Sequence, residues 1–238
     1  MRLGIMQPYF FPYLAHFALI SKSERWIVFD VTQYTPRSWM SRNRVLHPQA
    51  GWTYVGVPLR QSSISLRTHE ARLSDPASAC QSLLGKLSHY KRHAPYYDAV
   101  RKLVMASFAN AESDSLVAVN VSALALTCRY LGIPFDYRIC SELDLDLHGI
   151  EGPGDWAPEI CRQLNASSYL NPVAGRDLFD AGHFLRHGIE LGFLEFTSFT
   201  YPTGPYTFEP GLSILDVMMW NSPERIRQVL HENTRILF

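Results

Sequence analysis

The run RSWMSRNRVL at 37–46 gathers Arg37, Arg42, Asn43 and Arg44. Guanidinium groups are planar forks of N–H donors matched to phosphate or carboxylate, and the Asn43 amide adds a donor and an acceptor. A solvated basic loop would have the same composition. Asp30 closes the apolar run Trp26-Ile27-Val28-Phe29. An acid where a buried strand leaves a sheet can serve as a base, a metal ligand or a ribose contact, or simply cap the next turn. Ser213 and Asp216, three apart, share a face of any helix that contains them, and Pro210-Gly211 just before them equally suits a helix cap. Tyr169 and Asn171 close another apolar run before Pro172, where they could orient a hydroxyl or complete a turn. Cys161 near a helix start would be a nucleophile if its thiol were acidified, and an inert small apolar residue if buried. His89 and His93 have the i,i+4 spacing of a helical metal pair, but no third ligand is evident and a basic helix end would look the same.

These residues need a frame. Leu3-Gly4-Ile5-Met6 reads as a short buried strand, stopped by Gln7-Pro8, since proline lacks an N–H and restrains its predecessor. The apolar spacing from Pro12 to Ser21 predicts a helix, and Trp26 to Asp30 a second strand, giving a Rossmann-like β-α-β start. A strand, a proline-bounded loop and a helix start form a geometry that favours anions, through free N–H groups and the helix dipole. Further strands are expected at 53–60, 135–139, 168–170 and 188–196. Helices are expected at 76–90, 114–131, 157–165, 177–187 and 212–221, with Gly132 as a C-terminal cap. Residues 62–75 read as a polar excursion, and GIEGPGDWAP at 149–158 as a loop or lid. The expected fold class is therefore α/β: one domain over 1–238 with a mostly parallel sheet, helices on both faces and a helix-rich middle subdomain at 76–131.

Composition narrows the partners. Twenty-two basic and twenty-two acidic side chains cancel, so no global field attracts nucleic acid, and nucleic acid is not an expected partner. Apolar residues make up 47% of the chain, enough for a substantial core. Four scattered cysteines with no CxxC pair argue against a zinc ribbon or disulfide scaffold. No apolar run approaches the ~18 residues of a membrane span, and prolines interrupt the N-terminal apolar stretch before a signal core could form. The default compartment is the cytoplasm. No cofactor can be named from these residues.

The opening MQPYFFPYLAHFALI, the strand ending in Asp30 with Gln33 beyond it, and RSWMSRNRVL resemble the N-terminal signature of WbqC-like proteins. YLNP at 169–172, FLRHGIELGFLEF and LSILDVMMWNS resemble the C-terminal pattern of the same family, so the resemblance spans nearly the whole chain. It carries over Gln7, Tyr9, Asp30, Gln33, Arg42, Asn43, Tyr169, Ser213 and Asp216 as matched polar positions. Ala15-His16 departs from the glycine and aromatic usual there. The resemblance implies a role in bacterial surface-polysaccharide or O-antigen synthesis. The expected activity is acyl or aminoacyl transfer onto a nucleotide- or lipid-linked amino sugar. Asp30, His16 and Asp216 are then candidate catalytic groups, with Gln7, Tyr9, Gln33, Arg42, Asn43, Tyr169, Asn171 and Ser213 binding a nucleotide sugar or acyl donor. Two other functions are compatible: a non-catalytic scaffold of the same pathway, and a nucleotidyltransferase-like enzyme. For the latter, His16 would match the second histidine of an HxGH motif, but Tyr13 and Ala15 stand at the first histidine and the glycine.

Overall fold

The computed structural model describes residues 1–238. The opening unit is β1 (Arg2–Met6), α1 (Leu14–Lys22) and β2 (Arg25–Val28), and the two strands pair in parallel. A two-stranded antiparallel hairpin follows, β3 (Arg42–Leu46) and β4 (Trp52–Gly56). Three helices come next: α2 (Pro76–Leu87), α3 (Tyr97–Ala109) and α4 (Leu116–Leu131). The chain then runs through β5 (Tyr137–Ile139), α5 (Trp156–Gln163), β6 (Ser168–Pro172), α6 (Ala181–Leu185) and β7 (Glu190–Phe196). It ends with α7 (Ile214–Trp220), α8 (Pro223–Glu232) and β8 (Thr234–Leu237).

Six strands form one sheet in the order β5-β2-β1-β6-β7-β8, parallel throughout except for β8, which runs antiparallel to β7. From β1 the chain builds outward through β2 and β5, then returns to build outward on the other side through β6. The order therefore reverses between β1 and β6, the arrangement of a doubly wound α/β sheet. Strand alternation sends successive side chains to opposite faces. Leu3, Ile5, Ile27 and Tyr169 pack with Ile160 and Cys161 of α5 and Phe184 of α6. Trp26, Val28, Leu170 and Leu194 belong to the larger core on the other face, with Phe17 of α1, Leu124 of α4 and Val229 of α8. That same core continues through Leu83 of α2 and Val104 of α3 to Val45 and Val55 of the hairpin.

Local chemistry explains the boundaries. Asp75 caps α2 by accepting from the N–H groups of Ala77 and Ser78, with Pro76 in the first turn. Gly132 ends α4 in the left-handed region (φ 66°), where the Ile133 N–H reaches the Cys128 carbonyl. Gly4 is required by proximity: a Cβ there would lie 2.5 Å from Ser23 Oγ and 2.7 Å from the Trp26 ring. Gly4→Ala is expected to cost roughly 1–3 kcal/mol by overpacking. Urea unfolding checks this, and an unchanged midpoint contradicts it.

Several expectations need correction. The strand predicted at 53–60 is β4, and it pairs with β3 in a separate hairpin instead of joining the main sheet. The helix predicted at 76–90 stops at Leu87 and tightens into a 3-10 turn over Ser88–Arg92, so His89 and His93 do not stack along an α-helical face. The stretch 177–187 holds the end of a 3-10 turn (Val173–Leu178) and the short α6. No helix is long and apolar enough to cross a membrane.

Candidate functional site

The loop leaving β1 at the point where strand order reverses is held by side chains from three distant segments. The Asn43 amide on β3 donates to the carbonyls of Phe10 (3.1 Å) and Phe11 (2.9 Å), while its oxygen accepts the Arg44 N–H at 2.8 Å. Ser213, the N-cap of α7, donates to the Phe11 carbonyl at 2.7 Å and accepts the Leu215 N–H at 3.2 Å. Asn120 in α4 donates to the carbonyls of Pro8 (2.6 Å) and Met40 (2.8 Å). These bonds fix Phe11 at φ 40°, a left-handed conformation that a bulky residue adopts only when its surroundings enforce it. Asn43 and Ser213 are both buried, and their polar atoms face backbone.

Beside this braced loop the hairpin opens into a cleft of about 340 Å³. Arg37, Arg42 and Lys86 line it together with Tyr34, Ser41 and Tyr54, and no carboxylate does. None of the three cations takes part in an ion pair. The Arg42 guanidinium lies over the Tyr54 ring, 4.0 Å from its centroid, and its buried Nε has no hydrogen-bond partner. Lys86 Nζ reaches across from α2 to the Tyr54 carbonyl at 2.9 Å. Tyr34 donates to Ser41 Oγ at 2.7 Å, joining the cleft floor to the strand start. Gly56, opposite Arg42, allows the two strands to close here, since a Cβ would lie 2.5 Å from the Ser41 carbonyl oxygen. Three cations without a carboxylate partner repel one another, and a bound anion relieves that repulsion. Arg37 and Arg42 offer forks for phosphate or carboxylate; Lys86 adds a point charge.

A larger cleft of about 560 Å³ lies at the carboxyl ends of β2 and β5, against α4. Asp30 lines it, 1% exposed. Its two carboxylate oxygens accept from the Ser141 N–H at 2.9 Å and the Ser141 hydroxyl at 2.6 Å. Asp30 thus ties β2 to the turn after β5. The two clefts share no lining residue, so Asp30 and Arg42 are not brought together.

The remaining candidates are dispersed. His16 is 2% exposed, ringed by Tyr9, Phe17 and Trp26, and neither ring nitrogen has a partner. Burial pushes its pKa down to about 3, so the imidazole is neutral, and it lines neither cleft. Asp216 is fully buried beneath the hairpin, accepting from Tyr90 and Tyr201. Tyr169 donates to Asn171 Oδ1 at 3.0 Å within β6, and both are buried. Gln7 donates weakly to Thr32 Oγ1 at 3.4 Å, exposed Gln33 bridges to Arg67, and Tyr9 is half-buried. Cys161 is fully buried and its thiol is pushed up to about 12, the reverse of an activated nucleophile. No group of three or more His, Cys, Asp or Glu side chains could hold a metal ion.

Tyr34, Tyr54 and Lys86 complete the basic cleft without having been singled out in the sequence. Alternation along Trp52–Gly56 could have placed Tyr54 beside Arg42 once the pairing of β3 and β4 was known, but Lys86 comes from a helix with no local signal.

The buried state of His16 has a measurable consequence. Its pKa falls from about 6.5 in the unfolded chain to about 3 in the folded one. Its contribution to stability is therefore complete above 6.5 and lost as pH falls toward 3. His16→Leu is expected to move acid unfolding to lower pH, followed by tryptophan fluorescence. An unchanged acid midpoint contradicts a buried neutral imidazole.

Comparison with known proteins agrees with the motif pattern. The model of the WbqC-like protein family matches residues 7–228. A protein of Mycobacterium tuberculosis, named Uncharacterized protein Rv1507c, is 24% identical over 218 residues, covering 91% of this chain and 92% of that one. No solved structure matches. With Asn43 and Ser213 bracing the β1 loop and Arg42 opening onto the basic cleft, and with the family match running from that loop into α8, the chain belongs to the WbqC-like protein family.

Proposed function

We propose that the protein binds the phosphate of a nucleotide- or lipid-linked sugar in the cleft of Arg37, Arg42 and Lys86. We infer that it serves surface-polysaccharide synthesis as a group transferase acting on that sugar, with an acyl or aminoacyl group as the transferred moiety. The observation that carries this reading is the convergence of three unpaired cations in a cleft with no carboxylate. Family membership supports the sugar, through the polysaccharide gene clusters with which the family name is linked.

Thermal unfolding tests it against nucleotide sugars, nucleoside triphosphates, coenzyme A and acyl-coenzyme A, each with and without magnesium. A ligand that binds only the folded state adds about 2.7 kcal/mol at a hundredfold excess over its Kd. A selective rise with nucleotide sugars, absent in Arg37→Ala/Arg42→Ala, is the expected result. A rise confined to magnesium nucleoside triphosphates favours the nucleotidyltransferase-like reading. No rise with any ligand at millimolar concentration contradicts small-molecule binding and favours the scaffold.

A further inference from the structure

The outward face of the β3–β4 hairpin carries a feature that phosphate binding alone does not require. Alternation turns Asn43, Val45 and Val55 into the protein, and they are buried. Arg42, Arg44, Trp52 and Tyr54 take the opposite side. There, Arg44 Cζ lies 5.0 Å from the Trp52 ring centroid and 5.4 Å from that of Trp39. Trp52 meets Tyr54 edge-on at 5.0 Å, and Tyr54 carries the Arg42 guanidinium at 4.0 Å. The result is a continuous row, Trp39, Arg44, Trp52, Tyr54, Arg42, whose last two members also line the basic cleft. Trp39 is 37% and Trp52 39% exposed, whereas Trp26 in the sheet is buried. Neither arginine has a carboxylate partner, and the Arg44 guanidinium is anchored instead to the Gly211 carbonyl at 3.2 Å.

We propose that this face is a saccharide subsite, where a pyranose ring stacks on Trp52, with Arg44 and Trp39 at its far edge, while its phosphate sits among Arg37, Arg42 and Lys86. The proposal rests on the cleft being a phosphate site. One face of a pyranose presents C–H groups with slight positive charge, which suit the negative face of an indole, while its hydroxyls suit the donors of Arg44. The shared residues Tyr54 and Arg42 make the strip continuous with the anion cleft, so a sugar joined to a phosphate can reach both. The strip is preformed: five paired positions of the hairpin hold its backbone, so little ordering entropy is lost on binding.

The test uses the full chain and three probes: inorganic phosphate, N-acetylglucosamine 1-phosphate and uridine monophosphate, titrated by calorimetry with tryptophan fluorescence in parallel. The sugar phosphate is expected to bind roughly three- to tenfold more tightly than phosphate, the range of one aromatic contact. Trp52→Ala is expected to erase that margin and leave phosphate affinity unchanged, with Trp39→Ala giving a smaller loss in the same sense. Arg42→Ala is expected to weaken both ligands together. Unfolding midpoints near that of the parent establish that the variants are folded. If Trp52→Ala and Trp39→Ala are folded and keep the full margin, the subsite is overturned while the phosphate site stands. If uridine monophosphate gains as much over phosphate and loses it equally in Trp52→Ala, the strip is a base platform and the proposal is overturned. If neither phosphate nor sugar phosphate binds the parent protein, the cleft reading fails and the subsite with it.

Discussion

Arg42→Ala is expected to weaken binding of a phosphate-bearing sugar by about ten- to a hundredfold, the span of roughly 1.5–3 kcal/mol for a charged hydrogen-bonding partner. The loss is expected to shrink as salt rises, because the cleft is open to solvent and its field is screened over about 10 Å at 0.1 M ionic strength. Arg42→Lys separates charge from geometry: it keeps the cation but loses the planar fork and the stacking over Tyr54, so it should restore only part of the affinity. Stability should change little, since Arg42 makes no ion pair and its Nε has no partner. Calorimetric titration at two salt concentrations, with an unfolding curve for each variant, checks all of this. Equal affinity in Arg42→Ala and the parent contradicts the assignment of the cleft.

Asp216→Ala is expected to have the opposite profile, a large loss of stability. The Asp216 carboxylate is fully buried and accepts from Tyr90 Oη at 2.5 Å and Tyr201 Oη at 2.9 Å, while Tyr90 Oη in turn accepts the Leu46 N–H at 2.9 Å. It thereby joins β3, the turn after α2, α7 and the segment before α7. Alanine leaves two buried phenols without their acceptor, which should cost about 3–5 kcal/mol. Asparagine, which retains one acceptor oxygen, should cost less.

Burial also pushes the Asp216 pKa up to about 6, although its three donors, the Tyr90 and Tyr201 hydroxyls and the Leu46 N–H at 3.4 Å, pull it down. Since the folded value exceeds the ordinary 3.8, this group's contribution is complete below about 4 and is lost as pH rises through 6. Asp216→Asn should therefore flatten the fall in stability between pH 4 and 6 that the carboxylate causes. Urea unfolding across pH 4 to 8 measures it, and an unchanged slope contradicts a buried titrating carboxylate. His16 acts in the opposite direction, losing its contribution as pH falls below 6.5, so these two buried groups oppose each other in the acid range.

The parts of the fold legible in the sequence are those written locally. Leu3-Gly4-Ile5-Met6 before Gln7-Pro8 could be little other than a buried strand and its end, and Gly132 marked the close of α4. The doubly wound order was implied only generally by strands alternating with helices. β3 is not legible in the sequence because RNRVL mixes charge with apolar residues, and its partner lies beyond a loop. Ser222-Pro223 before α8 carried a cap signal that would have revealed that helix, whereas β8 is defined by pairing with β7. The site divides in the same way. Arg42 could be read from its chemistry, but the amide of Asn43 and the hydroxyl of Ser213 looked like ligand groups when they in fact hold the carbonyls of Phe10 and Phe11. In this chain both brace the loop at the reversal of strand order. Tertiary convergence, which brings Lys86 and Tyr54 beside Arg42, leaves no trace in local spacing.

The most direct measurement is a crystal structure of the protein grown with N-acetylglucosamine 1-phosphate. The expected result is phosphate oxygens at about 2.7–3.2 Å from the guanidinium nitrogens of Arg42 and Arg37 and from Lys86 Nζ. Phosphate bound instead at the carboxyl ends of β1 and β6, with the cleft of Arg37, Arg42 and Lys86 free of ligand, would contradict the account.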